Sequence, residues 1–598
     1  MSIRIGGDAG QGVESSGAGF SLALARAGWH VFSMQDYRSR VRGGHNFYQI
    51  RVSPRPVYSH SDPPQLLLAL TKGTVEMDAD LLSPGAGIIY DDDLGVDASD
   101  LVAKGLKAFH LPLAGIAERH GSRVLMNTAA VAAAAGIVEL DLDTLEQVIA
   151  ENFRPKGQRV VQNNLAVARE AHELARRQYA AAFDWKIKRR NGQRRMLLNG
   201  NHAIAMGALA AGCRFVSAYP MTPATTIFEF LASVADQFGV VTKQAEDEIA
   251  AVCMAIGANF VGARAMTATS GGGFSLMTEA LGLAGMTEVP LVVVDAQRGG
   301  PSTGLPTRTE QADLLFAIHA SQGEFPRFVL APGTIQECFA LTAKAFNLAE
   351  KYQTPVIILT DQFLAGSLQT LEYDALDFGS VTVDRGRLLT DRELAHLPNG
   401  YHRFELTPDG ISPRALPGHP KAVHAVSSDE HDVDGNITEE IEIRHAMMQK
   451  RMVKERTGRR EVEAPRLFGP ARADLTLFCW GSSCGPVREA MDMLNSRGLK
   501  TNLIHITHMW PFPDSTVARR FQQARRTVVI EQNYTGQLSK LIRMTTGLAP
   551  NQKILKYDGR PFSPEEIVAV IEAYPDGPAE ISLHTEEPAH RLEVGANV

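Results

Sequence analysis

The sequence is poor in cysteine. It has five cysteines in 598 residues, and no two of them form a Cys-x-x-Cys pair. Iron–sulfur clusters and structural zinc sites need clustered thiolates, so we predict neither in this chain and assign no metal-ligating residue. Buried, reduced thiols are the predicted state of the five cysteines, which are Cys213, Cys253, Cys338, Cys479 and Cys484.

Long apolar runs are also missing. The longest weakly polar stretch, residues 124–138, is interrupted by Asn127 and predicts a buried helix rather than a membrane span. The N-terminus enters a glycine loop without the apolar segment of a signal peptide, which predicts a cytoplasmic location. The net charge of −7 argues against nucleic acid or an anionic membrane as the main partner.

What the sequence contains is a regular alternation of strands and helices, which predicts an α/β protein with parallel sheets. We divide it into three α/β domains at 1–182, 197–370 and 466–598. A basic, solvated linker is predicted at 183–196, and an irregular crossing segment at 371–465. The alternation is most regular in the second domain, which favours a doubly wound parallel sheet. An irregular stretch as long as 371–465 is typical of a lid, a subunit-spanning arm or disorder.

Three polar groups follow predicted strands of the second domain, at residues 219–223 (YPMTP), 246–248 (EDE) and Arg298. The carboxyl ends of parallel strands line one crevice, where ligands bind. Thr222 at a helix start and the Arg298 guanidinium suit a carboxylate ligand. A carboxyl facing a dry crevice holds its proton more easily and can protonate a heterocyclic nitrogen. A stiff turn, acids that favour a helix start and a surface salt bridge are the structural alternatives.

Glycine and arginine are concentrated near the N-terminus. Residues 6–12 (GGDAGQG) join a strand to a helix and favour a phosphate-bearing ligand, although they do not fit Gly-x-Gly-x-x-Gly. Arg38, Arg40 and Arg42 alternate, so an extended chain would point all three one way, towards several phosphates. A solvated edge strand protected by charge is the alternative. The glycine run at 269–273 (TSGGG) is a weaker signal of the same kind.

Together these motifs resemble the 2-oxoacid:ferredoxin oxidoreductases over nearly the whole chain. The match is to the α subunit with a γ domain fused at its N-terminus. Residues 6–13 and 37–47 resemble the γ domain. Residues 219–223, 246–248 and 298–304 resemble the pyrimidine-side domain of the α subunit. Residues 480–482 and 531–537 resemble the transketolase-C-terminal-like domain of the same subunit.

The resemblance implies a role for each motif. Glu248 is expected to meet N1′ of the thiamine diphosphate aminopyrimidine, as the catalytic carboxyl. The carboxylate of a 2-oxo acid is expected at Tyr219, Thr222 and Arg298. The residues expected to meet coenzyme A are Gly10, Gln11, Gly12, Val13, Arg38, Arg40 and Arg42.

One thiamine motif is missing. Thiamine enzymes bind magnesium and diphosphate through Gly-Asp-Gly followed by Asn-Asn, and this chain has no Gly-Asp-Gly. The resemblance therefore implies a β subunit that carries the diphosphate site, the magnesium ion and a [4Fe-4S] cluster. It also implies an active site shared between α and β, ferredoxin as the electron partner, and a dimer of αβ pairs.

The run 298–313 looks most like the 2-oxoglutarate branch. The expected reaction is the reversible oxidative decarboxylation of 2-oxoglutarate with coenzyme A to succinyl-CoA, CO2 and reduced ferredoxin. Met221 and Ala224 stand where pyruvate enzymes carry Ile and Ser, and pyruvate or another 2-oxo acid is the alternative substrate. A non-catalytic, coenzyme A-binding scaffold subunit is a further alternative. The second carboxylate of 2-oxoglutarate needs another cation, from Arg308 or from the β chain.

Overall fold

Three β-sheets flanked by helices organise the chain in the computed structural model, which describes residues 1–38, 44–190, 194–397 and 400–585. This confirms the predicted α/β class. No helix of the described ranges is both long and apolar enough to cross a membrane.

The first sheet is built mainly by the N-terminal segment. Its strands are β1 (Ser2–Asp8), β2 (His30–Asp36), β3 (His45–Ser53), β4 (Leu66–Ala69), β5 (Gly87–Asp91) and β6 (Lys107–Leu111). Its helices are α1 (Val13–Arg26), α2 (Lys72–Asp78), α3 (Ala98–Ala103), α4 (Leu113–Arg119), α5 (Met126–Ile137), α6 (Leu142–Phe153) and α7 (Gln158–Tyr179). The buried helix predicted at 124–138 is α5, whose alanines lie in the apolar core.

The middle segment forms most of the second sheet and contributes two strands to the first. Its strands are β7 (Met196–Leu198), β8 (Phe215–Ala218), β9 (Val241–Gln244), β10 (Ala265–Thr269), β11 (Leu291–Gln297), β12 (Phe328–Leu330), β13 (Pro355–Asp361) and β14 (Leu368–Leu371). Its helices are α8 (Gly200–Ala210), α9 (Thr225–Ser233), α10 (Ala235–Phe238), α11 (Glu248–Phe260), α12 (Gly271–Met286), α13 (Leu314–His319), α14 (Ile335–Tyr352), α15 (Gln362–Gly366) and α16 (Asp391–Ala395). Strands β11 and β13 are buried throughout, as expected for central strands of a parallel sheet covered on both faces.

The C-terminal segment, which begins after α17 (Ile441–Gly458), forms the third sheet and contributes one strand to the second. Its strands are β15 (Arg466–Phe468), β16 (Leu475–Trp480), β17 (Thr501–Ile506), β18 (His508–Trp510), β19 (Thr527–Glu531), β20 (Gln552–Lys556) and β21 (Glu580–Leu583). Its helices are α18 (Cys484–Ser496), α19 (Asp514–Gln523), α20 (Gln537–Thr546) and α21 (Pro564–Ala573).

The sheets exchange strands across the predicted segments. The first sheet has the order β6-β5-β4-β1-β3-β2-β14-β7, the second β18-β12-β13-β11-β10-β8-β9, and the third β15-β17-β16-β19-β20-β21. Thus β7 and β14 extend the first sheet, and β18 pairs antiparallel with β12 in the second. Hydrogen-bonded ladders therefore tie the three segments of the chain to one another.

Two apolar side chains anchor the linker predicted at 183–196. Phe183 and Ile187 are each 1% exposed and belong to the apolar core of the first sheet. The amide of Ile187 donates to the carbonyl of Val138, and that of Arg190 to the carbonyl of Ala27. The other described residues of this stretch are exposed or half-buried.

The segment 371–465 is mostly irregular, as predicted, and packs on its own chain. Buried Arg403 donates to the carbonyl oxygen of Glu288 at 2.7 Å, and buried Arg414 binds the Glu350 carboxylate at 3.1 Å. These arginines satisfy buried acceptors of the second sheet's helices and their ends.

Candidate active site

The three polar groups predicted to share a crevice lie on neighbouring strands. Strands β9, β8, β10 and β11 are adjacent and parallel, so their carboxyl ends meet at one edge. The segment 219–223 follows β8, Glu248 follows β9, and Arg298 directly follows β11. Nη1 of Arg298 donates to the backbone oxygen of Thr222 at 2.8 Å, which joins two of the groups directly.

Glu248 is a buried carboxyl with an unused acceptor. It is the first residue of α11 and only 3% exposed. Its Oε1 has no hydrogen-bond partner among the described residues. A buried acceptor left without a partner costs about 1–3 kcal/mol, so an oxygen in this state suits a ligand that supplies a donor.

The neighbours of Glu248 fix its carboxyl in place. Asp247 caps α11 by accepting from the amide of Ala250 at 2.7 Å, which sets where the helix begins. Gly273, on α12, lies directly against the carboxyl: a Cβ there would be 2.6 Å from both Cγ and Oε1 of Glu248. The carboxyl is therefore held between the starts of two helices.

Arg298 lies within the electrostatic field of this carboxyl. Burial lowers the pKa of the half-buried Arg298 guanidinium, and the nearby charge of Glu248 opposes that shift. The side chain stays a cation because the ordinary pKa of arginine is so high. The site thus holds one buried carboxyl and one guanidinium side by side, which can bind a carboxylate and exchange a proton with a base.

The turn at 219–223 differs from the prediction in one detail. Helix α9 begins at Thr225, and its N-cap is Ala224, whose side chain makes no capping bond; Pro223 and Thr222 precede the helix rather than start or cap it. Tyr219 is 40% exposed at the end of β8. The backbone of this turn is positioned by Arg298 rather than by a helix cap.

A buried acidic cluster beside this edge was missed by sequence reasoning. Asp295 lies fully buried in β11, and neither of its carboxyl oxygens has a hydrogen-bond partner in the described structure. Burial, and after it the nearby Asp313, raise the pKa of Asp295, while burial raises that of Asp313. Burial also raises the pKa of Glu310 to about 7. The only sequence signal was a lone Asp in the apolar run of β11.

The acidic cluster borders the loop that follows Arg298. Glu310 accepts from the amide of Gly300 at 3.2 Å, and a Cβ at Gly271 would lie 2.7 Å from Oδ2 of Asp313. The start of α12 and the loop after Arg298 are thus bordered by carboxyls whose pKa values burial raises.

The N-terminal glycine loop forms the start of α1. Gly10 and Gly12 have positive φ values of 89° and 71°, and a Cβ at Gly10 would meet no atom within 4 Å. The Gln11 side chain accepts from the amide of Asp8 at 2.8 Å. Gly12 is the N-cap of the 14-residue helix that begins at Val13, and it has no side chain to cap it. The first amides of α1 are therefore available to an anion.

Two cavities lie between the first sheet and the other two. The larger, of about 410 Å³, is lined by residues of β1 to β3, by Arg308 and by the chain from Lys556 to Glu566. The smaller, of about 180 Å³, extends from Glu14 to Thr222. They share a wall, formed by Met34, Asp36, Arg308 and Pro561.

The structure places the predicted basic residues unequally. Arg38 lines the larger cavity, and its backbone amide donates to Asn46 at 3.0 Å. Arg40 and Arg42 lie outside the described residues. Residues 10–13 line neither of these two cavities, although the adjoining Glu14 lines the smaller one.

Arg308 stands between the two cavities. It forms an ion pair with Asp36, whose Oδ2 lies 3.3 Å from Nε of Arg560. Guanidinium groups bind carboxylates and phosphates well, so Arg308 makes this wall suitable for an anionic ligand.

Comparison with known proteins accounts for all three parts of the chain. Residues 2–174 match the family described as pyruvate ferredoxin/flavodoxin oxidoreductase. Residues 206–450 match its thiamine-diphosphate-binding family, pyruvate flavodoxin/ferredoxin oxidoreductase. Residues 473–567 match the pyruvate:ferredoxin oxidoreductase core domain II.

Individual relatives agree over nearly full length. The 2-oxoacid:ferredoxin oxidoreductase subunit alpha of a Sulfolobus species is 33% identical over 98% of each chain. The 2-oxoglutarate oxidoreductase subunit KorA of Mycobacterium tuberculosis is 30% identical over 96% of this chain and 91% of its own. The solved 2-oxoglutarate:ferredoxin oxidoreductase of Magnetococcus marinus is 34% identical, with a TM-score of 0.88, over 96% of this chain and 99% of that one.

These relatives confirm the resemblance that the motifs indicated. The shared length leaves no large part of the chain unmatched, and the solved relative has the same overall fold. The chain belongs to the α subunits of the 2-oxoacid:ferredoxin oxidoreductases and is a subunit of an oxidoreductase.

Proposed function

We propose that this chain is the α subunit of a 2-oxoglutarate:ferredoxin oxidoreductase. The observation that carries the proposal is the buried Glu248, with a free acceptor oxygen beside Arg298 at the edge of the second sheet. The substrate choice is supported by the Magnetococcus marinus enzyme, described with 2-oxoglutarate, coenzyme A and succinyl-CoA bound, and by the KorA relatives.

Glu248 fits the aminopyrimidine of thiamine diphosphate. Its unpartnered Oε1 is buried, so it can hold a proton at the ring nitrogen without competition from water. Gly273 lets the carboxyl lie against α12, where a larger side chain would displace the carboxyl. When bound, thiamine diphosphate would supply the carbanion chemistry of decarboxylation.

Arg298 and the 219–223 turn suit the reacting end of a 2-oxo acid. The guanidinium already binds the backbone oxygen of Thr222, which leaves further N–H groups for a carboxylate. We assign Tyr219 and Thr222 to the same end of the substrate. Arg308 lines the smaller cavity together with Thr222, so we assign its guanidinium to the second carboxylate of 2-oxoglutarate.

The two adjoining cavities suit coenzyme A. The larger has room for part of a drug-sized ligand, and the smaller extends from its shared wall to Thr222. We assign the phosphate end of coenzyme A to Arg38 and the 39–43 stretch with its two arginines. We assign another anionic contact to the amides at 10–13. On this assignment the domain at 1–182 handles coenzyme A, 197–370 holds the pyrimidine and 466–598 closes the cavity.

A partner is needed to complete the cofactor site. The α11 and α12 faces near Glu248 expose Ile249, Met254 and Leu276, and a Cβ at Gly257 would meet nothing within 4 Å. A close contact with another chain would cover these groups. We assign to that β subunit the diphosphate, the magnesium ion and a [4Fe-4S] cluster that passes electrons to ferredoxin, in an (αβ)2 assembly in the cytoplasm.

The test is turnover of the reconstituted αβ complex with 2-oxoglutarate, pyruvate and branched-chain 2-oxo acids. We expect the highest kcat/KM with 2-oxoglutarate. Arg308→Met should lower kcat/KM for 2-oxoglutarate much more than for pyruvate, because only 2-oxoglutarate carries the second carboxylate. Equal losses for both substrates would instead assign Arg308 a structural role.

Glu248→Gln separates catalysis from scaffolding. It keeps the shape of the side chain but removes its ability to exchange a proton, so we expect turnover to fall by about 10²–10⁴-fold while the complex still assembles. Full turnover of the assembled Glu248→Gln complex would favour the scaffold alternative. A pyruvate preference would keep the family and replace the substrate.

A further inference from the structure

Two thiols and an imidazole lie together in the third sheet, outside the candidate active site. Cys479 on β16 is the register partner of His505 on β17, and Cys484 is the first residue of α18. One ligand atom from each lies within 4.8 Å of the other two, and all three residues are buried. Of the remaining cysteines, Cys213 and Cys338 are buried, but Cys253 is exposed, contrary to the prediction.

We propose that Cys479, Cys484 and His505 form a binding site for a divalent transition metal ion of zinc type. Thiolate and imidazole are the ligands that zinc prefers, at about 2.3 Å for sulfur and about 2.0 Å for nitrogen in a tetrahedral site. Ligand atoms around such an ion are roughly 3.5–4 Å apart. The Sγ of Cys479 and the Nδ1 of His505 are 3.9 Å apart, which already fits.

The orientation of His505 is set from behind the ring. Its Nε2 lies 3.0 Å from Oε2 of Glu337, and that oxygen also accepts from the amide of Gly333 at 2.9 Å. A carboxylate at this place keeps the proton on Nε2, and so leaves the lone pair of Nδ1 facing the two thiols. Metal-bound histidines commonly have such a carboxylate behind them.

The place of the His505 ring depends on a glycine. A Cβ at Gly333 would lie 2.5 Å from Cε1 of His505, so a larger residue would displace the ring. Cys484 also borders a cavity of about 30 Å³, which is large enough for one water molecule beside this thiol.

Charge favours the same conclusion. Two buried thiolates are costly alone, but a divalent ion neutralises both of them. Each thiol loses its proton when it binds the ion, so metal uptake releases protons and weakens at low pH. Glu337 lies at the start of α14, which packs against strands of the second sheet. Because Glu337 contacts His505, an ion bound to His505 would link α14 to the third sheet.

The sequence separates these residues too widely for a zinc signature. Cys479 and Cys484 are five positions apart with a Gly-Ser-Ser turn between them, and His505 follows only on the next strand. The sequence alone therefore predicts no metal site here. The parallel pairing of β16 with β17 brings the third ligand to the pair.

The experiment uses the full-length chain, purified under reducing conditions and titrated with Zn²⁺. We expect one tightly bound ion per chain. Its X-ray absorption spectrum should contain two sulfur ligands at about 2.3 Å and one nitrogen at about 2.0 Å. Substitution with Co²⁺ should give a thiolate-to-metal charge-transfer band. Neither readout depends on turnover, so the result is independent of the proposed function.

Variants assign the ligands. Cys479→Ser and Cys484→Ser should each remove one sulfur and the tight binding, and Glu337→Gln should weaken zinc binding by about 10–100-fold. The matched control is Cys213→Ala, which removes a buried thiol elsewhere and should bind zinc like the wild type. Where a serine variant does not fold, the wild-type absorption spectrum decides.

Three results would overturn the proposal. The first is a folded wild-type chain that takes up no zinc. The second is a zinc shell without two sulfur atoms, or one that both serine variants retain. The third is a Cys479–Cys484 disulfide that a mild thiol oxidant forms equally fast with and without added Zn²⁺, since a bound ion would protect both thiols.

Discussion

At the residue scale, the buried carboxyl of Glu248 depends on a side chain that is missing from the neighbouring helix. Gly273 faces Glu248, whereas Gly272, one position earlier, is exposed, and its nearest contact for a Cβ is a backbone oxygen at 4.0 Å. These adjacent glycines in the first turn of α12 therefore have different roles. Gly273 leaves space for a buried side chain, whereas Gly272 does not.

Substituting these glycines should have opposite effects. Gly273→Ala should lower the free energy of unfolding by about 1–3 kcal/mol, because the new methyl group overlaps both the Thr269 hydroxyl and the Glu248 carboxyl. Gly272→Ala should leave it unchanged or raise it slightly, since alanine favours a helix. Thermal unfolding midpoints of the two variants check this. If both variants shift the midpoint equally, the carboxyl is not held as described.

The acidic cluster gives a prediction about pH. Burial and Asp313 raise the pKa of Asp295 in the folded chain, so the folded state binds more protons than the unfolded state above the ordinary pKa of aspartate. The stabilisation that comes from the protonated Asp295 is then complete at acidic pH, and it is lost as the pH rises through the raised pKa. Asp295→Asn removes this titration, so its unfolding midpoint should gain on that of the wild type as the pH increases.

The measurement is the difference between the two unfolding midpoints across the pH range. Each pH unit within the titration window changes the free energy of unfolding by at most about 1.4 kcal/mol per group. The exposed Asp236→Asn variant is the control, and its difference from the wild type should not change with pH. A flat difference for Asp295→Asn as well would mean that Asp295 is ionised in the folded chain.

At the element scale, α17 is anchored by charge rather than by an apolar face. Lys450 and Lys454 are fully buried and both bind Glu288, which follows α12. Against the cost of burial, the two lysines lower the pKa of Glu288, whereas burial lowers that of Lys454 to about 7. The two lysines together carry one more positive charge than Glu288 can neutralise. One lysine can therefore be removed without leaving Glu288 unpaired.

This asymmetry predicts different losses of stability. Glu288→Gln leaves two buried cations without a counter-ion and should cost about 3–5 kcal/mol. Lys454→Met leaves one matched pair, Lys450 with Glu288, and should cost much less. The midpoints of thermal unfolding compare the two variants. Equal losses would show that both lysines are required and that the excess charge is balanced elsewhere.

The same scale separates what the sequence could predict from what it could not. Apolar spacing predicts the buried helix at 124–138, which is α5, because local spacing determines such an element. It could not assign β7 and β14 to the first sheet, because pairing between distant strands leaves no local pattern. Glu248 and Arg298 were found since they follow strands, whereas Asp295 was missed inside one.

At the scale of the whole molecule, the shared wall of the two cavities connects the three sheets. Met34 and Asp36 come from β2 of the first sheet, Arg308 follows β11 of the second, and Pro561 follows β20 of the third. A ligand that spans both cavities would therefore be enclosed by all three parts of the chain. The wall therefore exists only when the three parts are packed together.

A substitution of Met34 tests directly whether coenzyme A spans both cavities, because Met34 is 7% exposed and lines both of them. Met34→Trp adds bulk at the shared wall and should raise the KM for coenzyme A by at least about tenfold, or about 1.4 kcal/mol. The exchange of labelled CO2 into the 2-oxo acid, which precedes acyl transfer to coenzyme A, should be nearly unchanged. Met544→Trp, at an exposed position on α20, controls for the added tryptophan. If CO2 exchange falls in parallel with coenzyme A-dependent turnover, the variant has disturbed the pyrimidine-binding domain instead. If neither changes, coenzyme A does not pass the shared wall on its way to Thr222.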